Sequence, residues 1–401
     1  MDFSIPERVQ KLLNETRAFM DERVLPLEER FRNGPFKELE EPLRRARQEV
    51  RSQGWWLPQI SRRWGGMGLS CLEFGLLGAV LGRSPLGHYA FNCQAPDAGN
   101  MEILISQGSQ EQQERYLQPL LQGRTRSCFA MTEPEHAGSN PLYMSTHARL
   151  DDQGWLLQGH KWFATAADGA DFAIVMAVTD PQAEPRQRAS MMLVPRGLEG
   201  MRLLRNIPVM GHEGDGWASH GELLFRDCRL PPEALLGPRG SGFAIAQERL
   251  GPGRIHHCMR WIGICERAFE MMVERAARRT CAPSKPLASR QLVQDWIATS
   301  RMEINSARLS VLQAAWVIDN EGAKAARQEI SCIKFQVAGV LQRVLDRAIQ
   351  VHGALGVSED TPLAWLWRQE RAARIYDGPD EVHKLAVAKQ VLKEWESKGE
   401  G

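Results

Sequence analysis

Apolar residues recur every three or four positions in the first third of the chain, from Pro6 to about Arg126. Leu117, Leu120 and Leu121 have this spacing, which places their side chains on one face of a helix. Gly and Pro residues separate the helical stretches. The pattern predicts an α-helical domain at the N-terminus.

The helical spacing returns after Gly242 and continues through most of the remaining chain. One apolar stripe consists of Val337, Val340, Leu341, Val344 and Leu345. Because such a stripe must be buried against another element, we predict three or four long helices packed as a four-helix bundle. The expected ends or breaks of these helices are Pro283, Gly322 and Gly356.

Between these two regions the pattern changes to short apolar runs separated by turn residues. The predicted strands are residues 143–150, 155–158, 172–178, 190–194 and 222–225. Turn clusters such as Asp151-Asp152-Gln153-Gly154 divide them. These runs predict a compact, β-barrel-like domain of roughly 100 residues.

The three regions together predict an α+β multidomain protein. The expected domains are an N-terminal helical domain at 1–127, a middle β domain at 128–237 and a C-terminal helical bundle at 238–401. The length of 401 residues agrees with several packed units, because a single hydrophobic core stops growing at roughly 250 to 300 residues.

Composition and charge narrow the classes of partner. Charged residues make up 25% of the chain and the net charge is only +1, so neither a nucleic acid nor an anionic membrane surface is expected as a partner. Apolar stretches such as 172–178 are far shorter than the roughly 20 residues of a membrane helix, so no membrane insertion is expected. The first seven residues show no secretory signal, which indicates a cytoplasmic protein.

Metal and disulfide chemistry are not indicated. The eight cysteines are scattered without a C-x-x-C pair, which argues against a zinc site or a disulfide framework. His256, His257 and Cys258 are consecutive, and consecutive side chains on a helix point in different directions. We therefore predict no metal site.

Candidate chemistry concentrates in a turn near the C-terminus. Asp377 is followed by Gly378 and Pro379, between two helical stretches. A carboxylate presented on this turn could remove a proton from a substrate. The alternative is that Asp377 begins a helix as its N-cap.

Two other segments accompany this turn, namely Gln350-Val351-His352-Gly353-Ala354-Leu355-Gly356 and Met131-Thr132-Glu133-Pro134-Glu135-His136-Ala137-Gly138-Ser139. Together with the run 374–381, they resemble the acyl-CoA dehydrogenase family, and the resemblance extends over essentially the whole chain. The run 251–260 and the ending Asp-Gly-Pro-Asp-Glu-Val-His at His383 resemble the subgroup whose multidomain members carry a kinase-like domain.

The resemblance implies an FAD-dependent enzyme of fatty acid β-oxidation. Such an enzyme oxidises an acyl-CoA to the trans-2-enoyl-CoA, with the β-hydride passing to FAD N5 and the electrons then to an electron-transfer flavoprotein. A homodimer or homotetramer is also implied, because family FAD sites are completed by a second subunit. Two rival functions stay open, a flavin oxidase of the nitroalkane-oxidase kind and a non-catalytic flavin-binding assembly protein. A hydroxyacyl-CoA substrate is compatible with the kinase-fused subgroup.

By resemblance, Asp377 is the base that removes the α-proton, where the family usually has Glu. Asp is one methylene shorter, and a displacement of about 1 Å can cost on the order of 100-fold in rate unless the backbone compensates. The resemblance also places Tyr376 and Gly378 at the substrate and Arg254 near the base. The backbone N–H of Asp377 is expected to polarise the thioester carbonyl.

The resemblance further implies a group of FAD contacts in the middle domain. These residues are Phe129, Met131, Thr132, Phe163 and Thr165, with Ser139 shared between cofactor and substrate. Short hydroxyls and exposed N–H groups suit phosphate and flavin carbonyl oxygens. The loop that ends at Ser139 is one residue longer than the common family pattern. The structural alternatives are a plain strand-to-turn loop and an ordinary core aromatic at Phe163.

A second implied group of FAD contacts lies in the C-terminal region. Its members are Arg279, Gln350, His352, Gly353, Ala354, Pro379 and Glu381. Arg279 matches a family arginine that reaches FAD phosphates across a subunit interface, a role that suits a guanidinium fork. Its alternative is a solvated basic helix end. Ala354 replaces a family glycine and would be strained if its φ were positive, whereas a helix C-cap explains Gly353 almost as well.

Overall fold

The computed structural model describes residues 4–399, without the side chains at positions 250, 252, 398 and 399. The chain divides into two compact units. Unit 1 comprises the described parts of Met1–Arg32, Leu69–His88 and Gly251–Gly401, and unit 2 comprises Asn33–Gly68 and Tyr89–Leu250. The three domain boundaries proposed from the sequence stay a prediction.

Within residues 4–399 there are thirteen α-helices. They are α1 (Glu7–Phe19), α2 (Glu28–Asn33), α3 (Glu40–Ser52), α4 (Cys71–Leu81), α5 (Gly87–Ala90), α6 (Asp97–Gln107), α7 (Gln110–Gln112), α8 (Gln118–Leu121), α9 (Gly242–Arg278), α10 (Gln291–Glu321), α11 (Arg327–His352), α12 (Leu363–Glu370) and α13 (Asp380–Gly399). The predicted succession of helices, strands and helices is confirmed.

The same residues contain ten β-strands. They are β1 (Ser127–Ala130), β2 (His147–Asp151), β3 (Gly154–Thr165), β4 (Phe172–Val178), β5 (Ala189–Pro195), β6 (Met201–Asn206), β7 (His220–Leu230), β8 (Leu235–Leu236), β9 (Thr280–Ala282) and β10 (Lys285–Pro286). Eight of them form one sheet in the order β6-β7-β3-β2-β4-β5-β8, with β1 parallel to β4, while β9 and β10 form a separate antiparallel pair.

Unit 2 is built around the eight-stranded sheet. β4 and β5 pair antiparallel from Phe172 opposite Pro195 to Val178 opposite Ala189, and all but the last residue of each strand is buried. β3 pairs with β7, and the register shifts between Lys161 and Ala164. Such an irregularity re-aims side chains locally. It lies beside the residues that the family resemblance assigns to the flavin.

Four long helices dominate the C-terminal region, as predicted. α11 packs against α10 and α13, and its apolar stripe is buried with Val337, Leu341, Val344 and Leu345 all at 0% exposure. Gly322 ends α10 with φ 85°, which confirms the predicted helix end. Burial of this stripe against neighbouring helices supplies the main driving force for the bundle.

The predicted strands are confirmed in position, with two corrections. Strand 172–178 has the observed bounds of β4, and 155–158, 190–194 and 222–225 lie inside longer strands. The strand predicted at 143–150 begins only at His147, because the N–H groups of Ser145 and Thr146 donate to the Glu133 carboxylate at 2.6 and 2.8 Å. β1 and β6 were not predicted.

The second correction concerns the helix break predicted at Pro283, where no strand was expected. Residues 280–286 form the β9–β10 hairpin instead. Pro283 cannot continue a helix because it lacks an N–H group, and Ser284 has a left-handed φ of 56°. Among the described helices, none has the length and apolar character needed to cross a membrane.

Candidate active site

The turn that carries Asp377 has a left-handed backbone. Asp377 has φ 54° and Gly378 has φ 98°. Residues other than Gly rarely adopt positive φ, although Asp and Asn tolerate it better than most. Because α13 begins at Asp380, Asp377 is not its N-cap, and that alternative interpretation is wrong. The turn places the Asp377 side chain outside the helix.

Two side chains hold the backbone carbonyl of Asp377. The Nε–H of Arg254 donates to this oxygen at 3.0 Å, and Nε2 of His383 lies 3.1 Å from it. Burial lowers the pKa of His383 to about 4, so the ring is neutral at pH 7 and carries its proton on Nε2. A Cβ at Gly378 would lie 2.7 Å from that Nε2, which explains why glycine follows the aspartate.

The carboxylate of Asp377 has an imidazole beside it, and a buried ammonium group binds the same turn. Nε2 of His257 is 3.2 Å from Oδ2, and each of the two side chains is about one-fifth exposed, at 21% and 22%. The fully buried Lys334 donates to the carbonyl oxygens of Ala373 at 2.7 Å and Gly378 at 3.2 Å. Burial lowers the pKa of Lys334, and the charge of Asp377 opposes this shift.

Tyr376 is turned toward the protein interior. Its hydroxyl accepts hydrogen bonds from Nη2 of Arg260 at 2.9 Å and Nε1 of Trp261 at 3.1 Å. Arg260 also pairs with the two carboxylate oxygens of Glu370. Burial raises the pKa of Tyr376, so the phenol stays protonated. The residue beside the candidate base is thereby fixed by a buried ion pair.

Three consecutive residues of α9 diverge as predicted. His257 faces Asp377. The ring of His256 meets Phe74 edge-on at 4.5 Å between centroids. Sγ of Cys258 donates to the carbonyl of Ile333 at 3.7 Å. Successive side chains on a helix point in different directions, so these three residues contact different neighbours.

The structure distinguishes the two arginines at the end of α9. Arg278 pairs with Glu274 one helical turn earlier. Arg279 is exposed, and its side chain has no hydrogen-bond or ion-pair partner among residues 4–399. It is therefore the arginine that is available to an anionic ligand.

The C-terminus of α11 carries the predicted Gln350 to Ala354 segment. Gly353 caps the helix with φ 64°, which confirms the C-cap interpretation. Ala354 is not among the residues with positive φ, so the alanine introduces no backbone strain. Gln350 is exposed. His352 is 8% exposed and its Nδ1 lies 2.8 Å from the carbonyl of Ala348 in its own helix, so its side chain is turned inward.

The remaining predicted contacts of unit 1 flank the base turn. The Pro379 carbonyl accepts the N–H groups of Val382 and His383 at the start of α13. Glu381 lies in the first turn of that helix and is exposed, as predicted for an acidic residue at the positive end of the helix dipole.

In unit 2, a buried ion pair braces the loop after β1. Nζ of Lys161 donates to Oε1 of Glu133 at 2.9 Å and to the Met131 carbonyl at 2.8 Å, with side-chain exposures of 0% and 2% for the two charged residues. Although burial opposes its ionisation, Glu133 keeps a lowered pKa because Lys161 and the N–H of Ser145 favour the carboxylate. Burial lowers the pKa of Lys161 to about 8, so the pair is charged at pH 7.

This brace presents an aromatic ring next to the loop. The hydroxyl of Thr132 donates to the Trp162 carbonyl at 2.8 Å, and the Trp162 N–H donates back to the Thr132 carbonyl at 3.0 Å. Phe163 follows with φ 50° and is 45% exposed. An ordinary core aromatic would be buried, so that alternative for Phe163 is wrong.

The other candidate flavin residues of unit 2 have individual surroundings. Phe129 is half-buried under the guanidinium of Arg249, which lies 4.5 Å from its ring centroid. Oγ1 of Thr165 lies 3.0 Å from Nδ1 of His220. Ser139 is exposed. It comes directly after Gly138, which lines a groove together with Met131, Thr132, Glu133, His136 and Tyr143.

Sequence reasoning placed Arg254 near the base, but it missed His257 and Lys334 as neighbours of the Asp377 turn and also missed the brace of the β1 loop. His257 was considered only for metal binding, although it lies three residues after Arg254 and so shares its helix face. Lys334 was not singled out, although it interrupts a run of buried apolar residues that includes Ile330, Ile333 and Val337. A lone charge on a buried helix face is the signal that could have found it.

Three family models match most of the chain. Those described as the N-terminal, middle and C-terminal domains of acyl-CoA dehydrogenase match residues 6–124, 128–228 and 240–392. They confirm the predicted fold class, with a helical N-terminal domain, a middle β domain and a C-terminal helical bundle.

Similarity to known proteins extends over nearly the whole of this chain. "Probable acyl-CoA dehydrogenase FadE2" of Mycobacterium tuberculosis is 42% identical over 98% of this chain and 97% of its own length. Acyl-CoA dehydrogenase family member 10 of Mus musculus is 43% identical over 96% of this chain, which spans only 37% of that protein. A solved Mycobacterium abscessus structure is 40% identical, with a TM-score of 0.93 over 98% of this chain and 100% of that one. This chain therefore belongs to the acyl-CoA dehydrogenase family.

Proposed function

We propose that this protein is an FAD-dependent acyl-CoA dehydrogenase that converts an acyl-CoA to the trans-2-enoyl-CoA, with Asp377 as the base. The observation that carries the proposal is the Asp377 turn. Its carbonyl is held by Arg254 and His383, and its carboxylate is only 22% exposed beside His257. A fixed, partly desolvated carboxylate is suited to proton abstraction.

The chain's own residues supply the base and its alignment. The Asp377 carboxylate takes the α-proton, while Arg254 and His383 keep the peptide that follows it in one orientation. The N–H of Asp377 would polarise the thioester carbonyl and so stabilise the developing enolate charge. Bound FAD would supply the two-electron acceptor for the hydride that leaves the β-carbon.

The residues present fit a flavin. The half-exposed Phe163 ring offers an apolar face beside the braced loop of Met131 and Thr132, as a flat heteroaromatic ring requires. Exposed Arg279, which has no side-chain partner among the described residues, suits a pyrophosphate. Ser139 and Gln350 are likewise exposed. These residues, with Phe129, Thr165, His352, Gly353, Ala354, Pro379 and Glu381, form the proposed FAD contacts.

Several finer assignments accompany the proposal. Similarity to family member 10 supports the proposal that this chain belongs to the subgroup with kinase-fused members. With that subgroup we also propose a hydroxyacyl-CoA substrate. We further propose an electron-transfer flavoprotein as electron acceptor, a homodimer or homotetramer that completes the FAD sites, a cytoplasmic location and a role in fatty acid β-oxidation.

The test is an anaerobic titration of the purified flavoprotein with straight-chain, branched and 4-hydroxy acyl-CoAs. Bleaching of bound flavin by one class supports the dehydrogenase and identifies its substrate class. Asp377→Asn should retain FAD and lose flavin reduction, whereas undiminished reduction refutes the role of Asp377. Flavin that no acyl-CoA reduces would favour the non-catalytic function. Rapid reoxidation of reduced flavin by oxygen would favour an oxidase.

A further inference from the structure

The imidazole of His257 is directed at one oxygen of the candidate base. Nε2 of His257 lies 3.2 Å from Oδ2 of Asp377, a separation that permits a hydrogen bond. The ring also lies 5.3 Å from Tyr376 and 6.0 Å from Trp261, nearly parallel to the latter at 23°. These two rings restrict the rotation of the imidazole, so its position is set before a substrate arrives.

Helix register explains this placement. Arg254, His257 and Trp261 are spaced by three and four residues along α9, which puts them on one helix face. Arg254 uses its Nε–H on the carbonyl of Asp377, whereas His257 faces the carboxylate of the same residue. Two side chains of one helix therefore contact the backbone carbonyl and the side-chain carboxylate of Asp377.

Other charged and titratable groups surround the pair on every element packed around it. They are Arg254, His256, Cys258 and Arg260 on α9, His88 on α5, Lys334 on α11, Glu370 on α12, Tyr376 beside the base, and Asp380 and His383 on α13. The nearest donors bind main-chain oxygens: cationic Arg254 and the neutral ring of His383 donate to Asp377, and Lys334 donates to Ala373 and Gly378. They fix the turn more than they fix the carboxylate.

We propose that His257 is a positioning residue for the base, holding Oδ2 of Asp377 so that Oδ1 is the oxygen that takes the α-proton. The inference rests on the proposed function and deepens it. A short aspartate that is held by an imidazole can be directed as accurately as a longer side chain, because orientation of the acceptor controls the rate of proton transfer.

In the proposed step, the α C–H bond breaks and its proton forms a new bond to Oδ1 of Asp377. The electron pair of the broken bond becomes the π bond between the α- and β-carbons, and bound FAD would accept the hydride that leaves the β-carbon. Nε2 of His257 stays beside Oδ2 throughout, so no proton is lost or gained at the imidazole.

The first test reports on the pair without any turnover. A double-mutant cycle of His257→Phe and Asp377→Asn, followed by urea unfolding of the intact flavoprotein, measures whether the two side chains interact. We expect the two substitutions together to lower the urea midpoint by less than the sum of their separate effects, because either one alone already removes the contact. Additive effects overturn the pairing.

The second test separates positioning from packing. His257→Phe retains a ring between Trp261 and Tyr376 but removes both nitrogens, whereas His257→Gln retains an N–H group near the place of Nε2. We expect flavin reduction by the acyl-CoA to slow by roughly tenfold to 100-fold in His257→Phe and to recover largely in His257→Gln, with acyl-CoA affinity unchanged in both. His147→Gln, an exposed residue of β2, is the control.

The outcomes distinguish the inference from the proposed function. Flavin reduction in His257→Phe as fast as in the wild type overturns the positioning role even if the protein is a dehydrogenase. A wild-type flavin that no acyl-CoA reduces overturns the proposed function, and non-additive effects of His257→Phe and Asp377→Asn on the urea midpoint would still support the pairing of His257 with Asp377.

Discussion

The carbonyl oxygen of Asp377 accepts the Nε–H of Arg254 at 3.0 Å, across 123 residues of sequence. The acceptor residue has φ 54°, so this hydrogen bond stabilises a backbone conformation that few side chains tolerate. Left-handed residues outside glycine cost of order 1 to 3 kcal/mol and persist where the surroundings over-determine them. The turn is therefore held by long-range contacts rather than by its local sequence.

Restoring the usual family residue at the base should slow the enzyme. In Asp377→Glu, the longer side chain must pass His257, whose Nε2 is already 3.2 Å from the aspartate, and glutamate tolerates positive φ less well than aspartate. We expect flavin reduction to fall by roughly tenfold or more, measured by anaerobic stopped flow. The exposed Asp346→Glu is the control. A rate equal to the wild type would mean that the site adapts to either length.

Gly378→Ala should destabilise the protein. A Cβ there would lie 2.7 Å from Nε2 of His383, at φ 98°, so strain and a clash combine to cost about 2 kcal/mol or more. Gly353→Ala has φ 64° with nothing within 4 Å and tests strain alone. Gly251→Ala, inside α9 with nothing within 4 Å and no positive φ, is the unstrained control and should stabilise by roughly 0.5 to 1 kcal/mol. Urea unfolding should show the largest loss of stability in Gly378→Ala, a smaller loss in Gly353→Ala and no loss in Gly251→Ala. Equal stability of Gly378→Ala and Gly251→Ala would contradict the assigned geometry.

Removing one partner of the buried Glu133–Lys161 pair should be costly. Lys161→Met leaves the Glu133 carboxylate buried at 2% exposure without its counter-ion, a change that typically costs about 3 to 5 kcal/mol. Flavin content should fall as well, because Lys161 also holds the Met131 carbonyl. Lys11→Met, which breaks a pair with Glu15 at 73% and 46% exposure, should cost roughly 1 kcal/mol or less. Similar losses in the two variants would refute the bracing role.

His256 should make the fold sensitive to acid. Burial and the neighbouring His257 lower the pKa of His256 to about 3, from 6.5. Below pH 6.5 the unfolded chain therefore binds a proton that the folded chain excludes, and the free energy of unfolding falls as pH decreases toward 3. In His256→Leu this slope should weaken by about 1.4 kcal/mol per pH unit, measured by urea unfolding from pH 6.5 to 4.5.

The matched control for this pH dependence is Phe74→Leu, which removes the ring packed on His256 at 4.5 Å but no titrating group. It should lower stability at every pH and leave the slope near that of the wild type. If His256→Leu and the wild type lose stability in parallel on acidification, the source of the sensitivity lies elsewhere.

The two arginines at the end of α9 provide a paired test of cofactor binding. Arg278 is occupied by Glu274, whereas Arg279 has no side-chain partner among the described residues. Arg279→Ala should lose FAD on gel filtration and weaken its affinity by roughly tenfold, and Arg278→Ala should retain it. Retention of FAD by both variants would remove Arg279 from the proposed site.

Local sequence patterns predicted much of the fold because they report on periodicity. The apolar spacing of α11 identified a buried stripe, and the continuous apolar run 172–178 identified a strand with the observed bounds. The patterns did not predict β1 or β6, because the first is only four residues long and the second has mostly exposed side chains, which carry little apolar periodicity.

The sequence by itself determined the family, the order of helical and β regions, and Asp377 as the candidate base, because these depend on motifs and on spacing along the chain. Tertiary structure alone decided that Asp377 adopts a left-handed turn, that His257 rather than His256 faces its carboxylate, and that Lys334 is buried against the same turn. The last two relationships join residues that are far apart in the sequence. No local pattern records them, because they follow from how packed helices bring distant side chains within hydrogen-bonding distance.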